Sequence, residues 1–362
     1  PPTLTSFTTA TTNEDAVITI TLDNLIDRGD EADIDGTVSA FVVDGVSNGT
    51  LTIGSTLSGS KSWSDTGGNP NNIINSSNNA YWAPAVNANG SFVAFTVKAK
   101  DNSGLLSSTA ITVPITVTAV NDPPSMTGLP ASTTVTEDTS SNVDLSAATF
   151  ADVDAGTSNI TLTIGAGAGK LSASGSGGVT ISGTTTSTLT LAGTVSAIDT
   201  YLNTATNIQY IGASNSYGNN AAALTLSGND GDNVTLGSIS VNITPAGDTP
   251  GVTNTTTNED TQSTTGLVLS RNANDSTEVT HFKITNISGG TLYQTNGAAV
   301  INNSDFITFS QGNAGLKFTP SLNSTVSGSF NVQAGTDNKG NGLSAVSAVA
   351  GITVNAINDA PT

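Results

Sequence analysis

Ile111-Thr112-Val113-Pro114-Ile115-Thr116-Val117-Thr118-Ala119-Val120-Asn121-Asp122-Pro123-Pro124 carries two signals in one stretch. Its first half places an apolar residue at every second position, the pattern of a strand with one buried face. Its second half, Asn-Asp ahead of two prolines, ends the strand and reads as a linker. Working outward, the linker returns as Ala246-Gly247-Asp248-Thr249-Pro250 and as Ala356-Ile357-Asn358-Asp359-Ala360-Pro361.

Two more motifs return in the same order. Thr12-Asn13-Glu14-Asp15 recurs as Thr136-Glu137-Asp138 and Thr257-Asn258-Glu259-Asp260, with spacings of 123 and 122 residues between the aspartates. An acidic turn closes an alternating run at Asp101-Asn102-Ser103-Gly104, Asp230-Gly231-Asp232 and Asp337-Asn338-Lys339-Gly340. Three motifs, three times in one order, define three homologous units at 1–122, 123–248 and 249–362. The chain begins and ends in the same phase of the repeat, as a section of a longer array would.

Each unit reads as β. Ala16–Leu22, Phe92–Val97, Ile160–Ile164, Ile239–Ile243, Phe306–Phe309 and Gly351–Val354 are short alternating runs bounded by Gly, Asn, Asp and Pro. The one helical spacing is at Thr194–Tyr201, where Val195, Ile198 and Leu202 share a face. Units of about 120 residues with this punctuation predict β-sandwiches. The fold class expected is therefore all-β: three tandem Ig-like β-sandwiches arranged end to end as a rod. The Gly-, Asn- and Ser-rich run at 64–80 reads as a surface loop or hairpin insertion.

Composition narrows function. The 362 residues carry 28 acids against 9 Lys and Arg, a formal charge of −19, with no Cys and one His. Disulfides and thiolate metal sites are excluded. So few cations make nucleic acid an unsuitable partner, and no apolar run is long enough to insert in a membrane. No basic-plus-apolar leader opens the chain, which reads as a mature or excised piece. The acids are 23 Asp and 5 Glu, favouring turns and hard-cation ligation.

Strand parity explains how these acids could cooperate. With seven alternating strands per sandwich, the Glu-Asp motif lies at the bottom of a unit. Asp-x-Asp and the late acidic turn lie at its top. Asp33, Asp35 and Asp101 then share the top of the first unit. At the first junction Glu14, Asn121 and Asp122 meet Asp152, Asp154 and Asp230. The second junction collects Glu137, Asp248, Asp275 and Asp337, and Glu259, Asn358 and Asp359 end the third unit. Carboxylates so placed repel unless a cation intervenes. Ca²⁺ suits a set made only of oxygens, whereas zinc would want Cys or more than the single His281. The plainer reading of each acid is turn formation.

The Asn-Asp-x-Pro linker, the preceding unit's Glu, Asp152-Val153-Asp154 and the late acidic turn resemble cadherin repeats. With the Thr-Glu-Asp openings, the whole chain is similar to the cadherin-like repeats of very large bacterial surface adhesins. That resemblance implies a calcium-stiffened extender outside a bacterial cell, projecting a distal binding domain and packing against neighbouring repeats of its own chain. Other classes are a glycan-binding or homophilic adhesion module and a subunit of an extracellular filament. Ala119 and Ala356 stand where cadherin linkers begin with Asp, Gly247 replaces Asn, and Asn272 and Asn274-Asp275 replace Asp-x-Asp. These departures predict fewer or weaker ions at the second junction.

Remaining motifs have bland readings. Arg28-Gly29-Asp30 is a chance tripeptide in an Asp- and Gly-rich loop rather than an integrin motif. His281 is a strand residue. Tyr81-Trp82, Tyr210 and Phe318 occupy equivalent core positions, which leaves Trp63 as the exposed aromatic for a glycan contact. A single His and no nucleophile elbow argue against an enzyme.

Overall fold

A computed structural model describes residues 1–66, 70–175 and 177–358. The chain divides into two compact units, Pro1–Asp122 and Pro123–Thr362, and it is almost entirely β. Three clusters of buried side chains share no residue. One spans Leu4 to Val117, the next Val135 to Ile243 and the last Leu267 to Val354.

Each cluster is filled from two sheets. In the first unit a five-stranded sheet contributes Phe41, Phe95 and Ile115, and a four-stranded sheet contributes Ile53 and Trp82. In the second unit a six-stranded and a three-stranded sheet enclose Leu162, Leu191, Leu171 and Tyr210. A five-stranded and a three-stranded sheet enclose Phe282, Phe330, Leu292 and Phe318. Alternation makes this possible. Along Ile160–Ala166 the residues Ile160, Leu162, Ile164 and Ala166 are buried while Thr161, Thr163 and Gly165 are half-buried.

Strand direction repeats three times. Ala10–Asn13 pairs in parallel with Ile111–Thr118, Ser132–Thr136 with Asn233–Thr244, and Thr255–Asn258 with Ala348–Asn355. Parallel first and last strands carry the chain in and out of each sandwich in one sense, as the parity argument requires.

Two expectations need correction. The count of seven strands is too low among the described residues, in part because the first strand is not continuous. Ser125–Thr127 pairs with Thr149–Ala151, and only then does the chain cross to the other partner at Ser132. Gly251–Val252 and Leu269–Ser270 repeat this. The run at 64–80 is also more than a surface insertion. Ile73–Asn75 joins one sheet and Asn79–Ala83 the other, so the turn at Asn75–Asn78 carries the chain between layers. Gly67, Gly68 and Asn69 of that run lie outside the described residues.

The expected helix is Val195–Leu202, capped by Thr194, with Ile198, Tyr201 and Leu202 buried. Leu22–Arg28 and Phe309–Asn313 are two more, each opened by a threonine capping box, Thr21 with Asn24 and Thr308 with Gln311. Seven and five residues are too few for a periodic signal to stand out.

Candidate metal centre

The Glu-Asp motif builds the same clamp three times. Glu14, Glu137 and Glu259 are 5%, 4% and 9% exposed, unusual burial for carboxylates. Each carboxylate accepts an N–H from the outgoing linker: Val120 to Glu14 at 2.7 Å, Ala246 to Glu137 at 3.2 Å, Ile357 to Glu259 at 2.7 Å. Each glutamate's own N–H donates to the last strand, at Thr118, Thr244 and Asn355. A carboxylate accepting from the backbone makes a charge-assisted bond. These glutamates therefore tie the linker to the sandwich it leaves.

The aspartate after each glutamate has a second task. Asp15, Asp138 and Asp260 have φ of 56°, 52° and 56°, the left-handed region that Asp and Asn tolerate best. Their Oδ1 atoms accept N–H bonds from Asn87, Asn215 and Asn323, whose φ are 56°, 58° and 53°. These asparagines were missed by the sequence reading. The signal was available, since each lies five residues after the buried aromatic Trp82, Tyr210 or Phe318.

Carboxylates converge at one described group. Ligand oxygens of Asp152, Asp154 and Asp230 all lie within 4.8 Å of one another. Asp152 Oδ1 accepts from the N–H groups of Asp154, at 3.2 Å, and Ala155, at 2.9 Å. Asp230 Oδ1 accepts from Asp232 N–H at 3.0 Å. Asp152 Oδ2 is shielded from solvent and meets no hydrogen-bond donor. Burial first, and then the neighbouring Asp154 carboxyl, push the Asp152 carboxyl above its ordinary range. The donor set fits a hard cation: all oxygen, anionic, with one buried oxygen lacking a donor. Spacings up to 4.8 Å match oxygens around an ion bonded at roughly 2.3–2.6 Å, the calcium range.

Asp33 has the same character in the first unit. Both its carboxylate oxygens are shielded without a hydrogen-bond donor. Burial, then Asp35 and Asp101, raise its carboxyl. A Cβ on Gly36 would meet Asn102 Oδ1 at 2.5 Å and Asp33 Oδ2 at 2.6 Å, so a side chain there would push both polar ends aside. Asp101 is 3% exposed and spends Oδ1 on the N–H groups of Ser103 and Leu105.

The acids of the second linker are placed differently. Asp275 accepts Asp248 N–H on Oδ1 at 2.9 Å and Asn272 N–H on Oδ2 at 3.1 Å. Burial, then Asp248 and Glu278, raise the Asp275 carboxyl, and burial, then Asp138, Glu278 and Asp248, raise that of Glu137. Glu278 was not among the expected residues. Asp337 is held by its own turn, with Lys339 and Asn341 N–H groups on Oδ1 and the Asn341 amide on Oδ2. Those backbone bonds, led by that from Lys339, lower its carboxyl. Glu137, Asp248, Asp275 and Asp337 do not form a group as tight as that at Asp152 among the described residues. Asn121 and Asp122 end the first unit, Asn358 ends the described chain, and Asp359 lies outside it.

No family model matches this sequence, and no curated protein does. Solved structures resemble it weakly. The human CDH23 fragment EC21-23 is 14% identical over 97% of this chain and 99% of its own, with a TM-score of 0.45. An I-band fragment of titin reaches 0.33 at 10% identity, covering 98% and 99%. Invasin, a bacterial integrin-binding protein, reaches 0.26 at 13% identity, covering 98% of this chain and 59% of its own. Likenesses this faint carry no argument.

Two aromatic and loop expectations resolve here. Trp63 is half-buried and packs against the first core, so it is not the exposed glycan contact expected; its strand neighbours, Thr52 with Ser62 and Ile53 with Lys61, bring the ring against that core. Tyr81 and Trp82 are buried, as are Tyr210 and Phe318. Arg28 closes the first helix and Gly29 caps it. Asp30 accepts the N–H groups of Thr5, at 2.7 Å, and Ser6, at 2.9 Å, and both of their hydroxyls. The Thr5 hydroxyl, then the Thr5 and Ser6 backbone, hold this carboxyl far below its usual range. The contribution of Asp30 is therefore complete above the unfolded value, about 3.9. It fades only as pH falls further toward the lowered folded value. Asp30→Asn should speed hydrogen exchange at Thr5 and Ser6 at pH 7 while leaving Phe95 and Val97 unchanged.

Proposed function

We propose that this chain is a section of an extracellular extender, three tandem β-sandwiches at 1–122, 123–248 and 249–362, stiffened by Ca²⁺ and belonging to a bacterial surface adhesin. The single observation that carries the reading is the clamp at Glu14, Glu137 and Glu259, which fixes each linker to the sandwich it leaves. Identical joints in series serve a stalk. A catalytic site has no need of three copies.

Asp152, Asp154 and Asp230 would hold the cation, and Asp33 with Asp35 and Asp101 a second one. The ion would supply the positive charge these carboxylates lack and a partner for the shielded oxygens of Asp152 and Asp33. The chain's own part is to orient them: backbone N–H groups of residues 154, 155, 103 and 105 hold Asp152 and Asp101 in place before any ion arrives. Among the described residues no helix is long and apolar enough to cross a membrane.

Small-angle scattering tests the stiffening. Addition of excess EDTA to the calcium-loaded chain should change the radius of gyration and broaden the distance distribution. An identical curve in calcium and in EDTA overturns the claim.

A further inference from the structure

The turn at Asn272 forms the same loop as the turn at Asp152 and uses a different chemistry. Asp152 Oδ1 takes the N–H groups of residues 154 and 155, and its Oδ2 faces no donor. Asn272 Oδ1 takes the N–H of Asn274 at 3.1 Å, and its second atom is an amide that donates to the linker carbonyl of Thr249 at 3.0 Å. A carboxylate cannot donate. The linker carbonyl of Thr249 is thus held by a neutral group of the protein.

We infer that the linker at Pro245–Thr249 is locked onto the sheets that follow it by protein contacts alone, through the Asn272 carboxamide and close packing at Gly247, and stays locked when divalent cations are withdrawn. This goes beyond the calcium reading above and uses it only for contrast.

Three consecutive linker N–H groups are engaged, the first by the sandwich behind and the next two by the sheets ahead. Ala246 N–H goes to Glu137, Gly247 N–H to the Gly342 carbonyl at 2.9 Å, and Asp248 N–H to Asp275. Both Asp275 oxygens are occupied by N–H donors. A Cβ on Gly247 would lie 2.9 Å from Ala334 Cβ and 3.0 Å from its carbonyl oxygen, and one on Gly342 would lie 2.6 Å from the Pro245 carbonyl. The glycine that departs from the linker pattern is therefore what lets the backbone touch its partner. Beside the linker, the Tyr217 hydroxyl meets Ser276 Oγ at 2.7 Å, and Ser276 donates through both its N–H and its hydroxyl to Glu278 at 2.6 Å.

Hydrogen exchange on the full chain, read by NMR with calcium alone as the probe ion, tests this. Protection at Ala246, Gly247 and Asp248 should agree within about twofold in calcium and in chelator, since local opening sets exchange. Exchange that speeds about tenfold or more in chelator overturns the inference. Asn272→Asp removes the donor and adds a charge beside Asp248 and Asp275. Exchange at the three amides in chelator should then rise about tenfold and slow again with calcium. Wild-type protection of this variant in chelator also overturns the inference. Amides of Phe330 and Val332 report folding in the same spectra, and Asn272→Ser, which removes the amide without adding charge, should loosen the linker in both conditions. The turn at Asp154 and Ala155 is a separate readout: if it ignores calcium, the cation site fails while the lock is judged on residues 246–248.

Discussion

Trp82→Ala should destabilise the first unit by about 3–5 kcal/mol, the cost of deleting a fully buried aromatic and leaving its cavity. Trp82 is 0% exposed, and its ring lies 6.4 Å from that of Phe92 at an interplanar angle of 48°. Its indole N–H donates to the Asn48 carbonyl at 2.7 Å. Asn48 precedes Gly49, whose φ is 68° and where a Cβ would lie 2.9 Å from the indole nitrogen. The tryptophan therefore fixes a turn as well as filling a core. Trp82→Phe keeps much of the volume and leaves the Asn48 carbonyl without this donor, so a smaller loss of roughly 1–3 kcal/mol is expected.

Fluorescence makes the measurement specific. The chain has two tryptophans, Trp63 and Trp82, both in the first unit. Emission during urea unfolding of the whole protein thus reports that unit, and Trp63 remains as the probe in Trp82→Ala. A midpoint unchanged from wild type would overturn the core role of Trp82.

How much of this was legible beforehand depends on whether the signal is local. Alternation in Ile160–Ile164 predicted its buried face because the period of a strand is a property of the chain itself. The handover of the first strand between Ser125–Thr127 and Ser132–Thr136 was not legible, because both partners lie far away in sequence. The repeat of Glu-Asp was plain, and its chemistry was assigned too narrowly. Glu14, Glu137 and Glu259 were read as cation ligands, whereas the geometry shows each accepting a linker N–H. A carboxylate has lone pairs for both roles, so the motif alone does not separate them. Asn272 was visible as a departure from Asp-x-Asp. That its amide reaches Thr249 required coordinates.

Calcium should stabilise the wild-type second unit and leave that unit nearly indifferent in Asp152→Asn. With free calcium at about 100 times the dissociation constant, an ion that binds only the folded state adds about 2.7 kcal/mol, or roughly 5–10 °C of melting temperature for units of this size. Asp152→Asn keeps the turn, since Asn Oδ1 still accepts from residues 154 and 155, as Asn272 does from Asn274. It removes one charge and the oxygen that had no donor. Without metal the variant should be at least as stable as wild type at pH 7. The sign follows from the raised carboxyl of Asp152: a group whose folded pKa exceeds its unfolded value costs stability once ionised. That cost is complete above the folded value and is relieved as pH falls through it toward the unfolded value, about 3.9. In chelator, then, acidification from pH 7 should first narrow the gap between wild type and Asp152→Asn, while in calcium protons compete with the ion and the wild-type advantage should shrink. Calorimetry of the full chain in the four combinations of metal and variant decides the matter. Equal calcium-induced shifts in both proteins would mean that Asp152, Asp154 and Asp230 hold no cation, and the acids would then be turn formers.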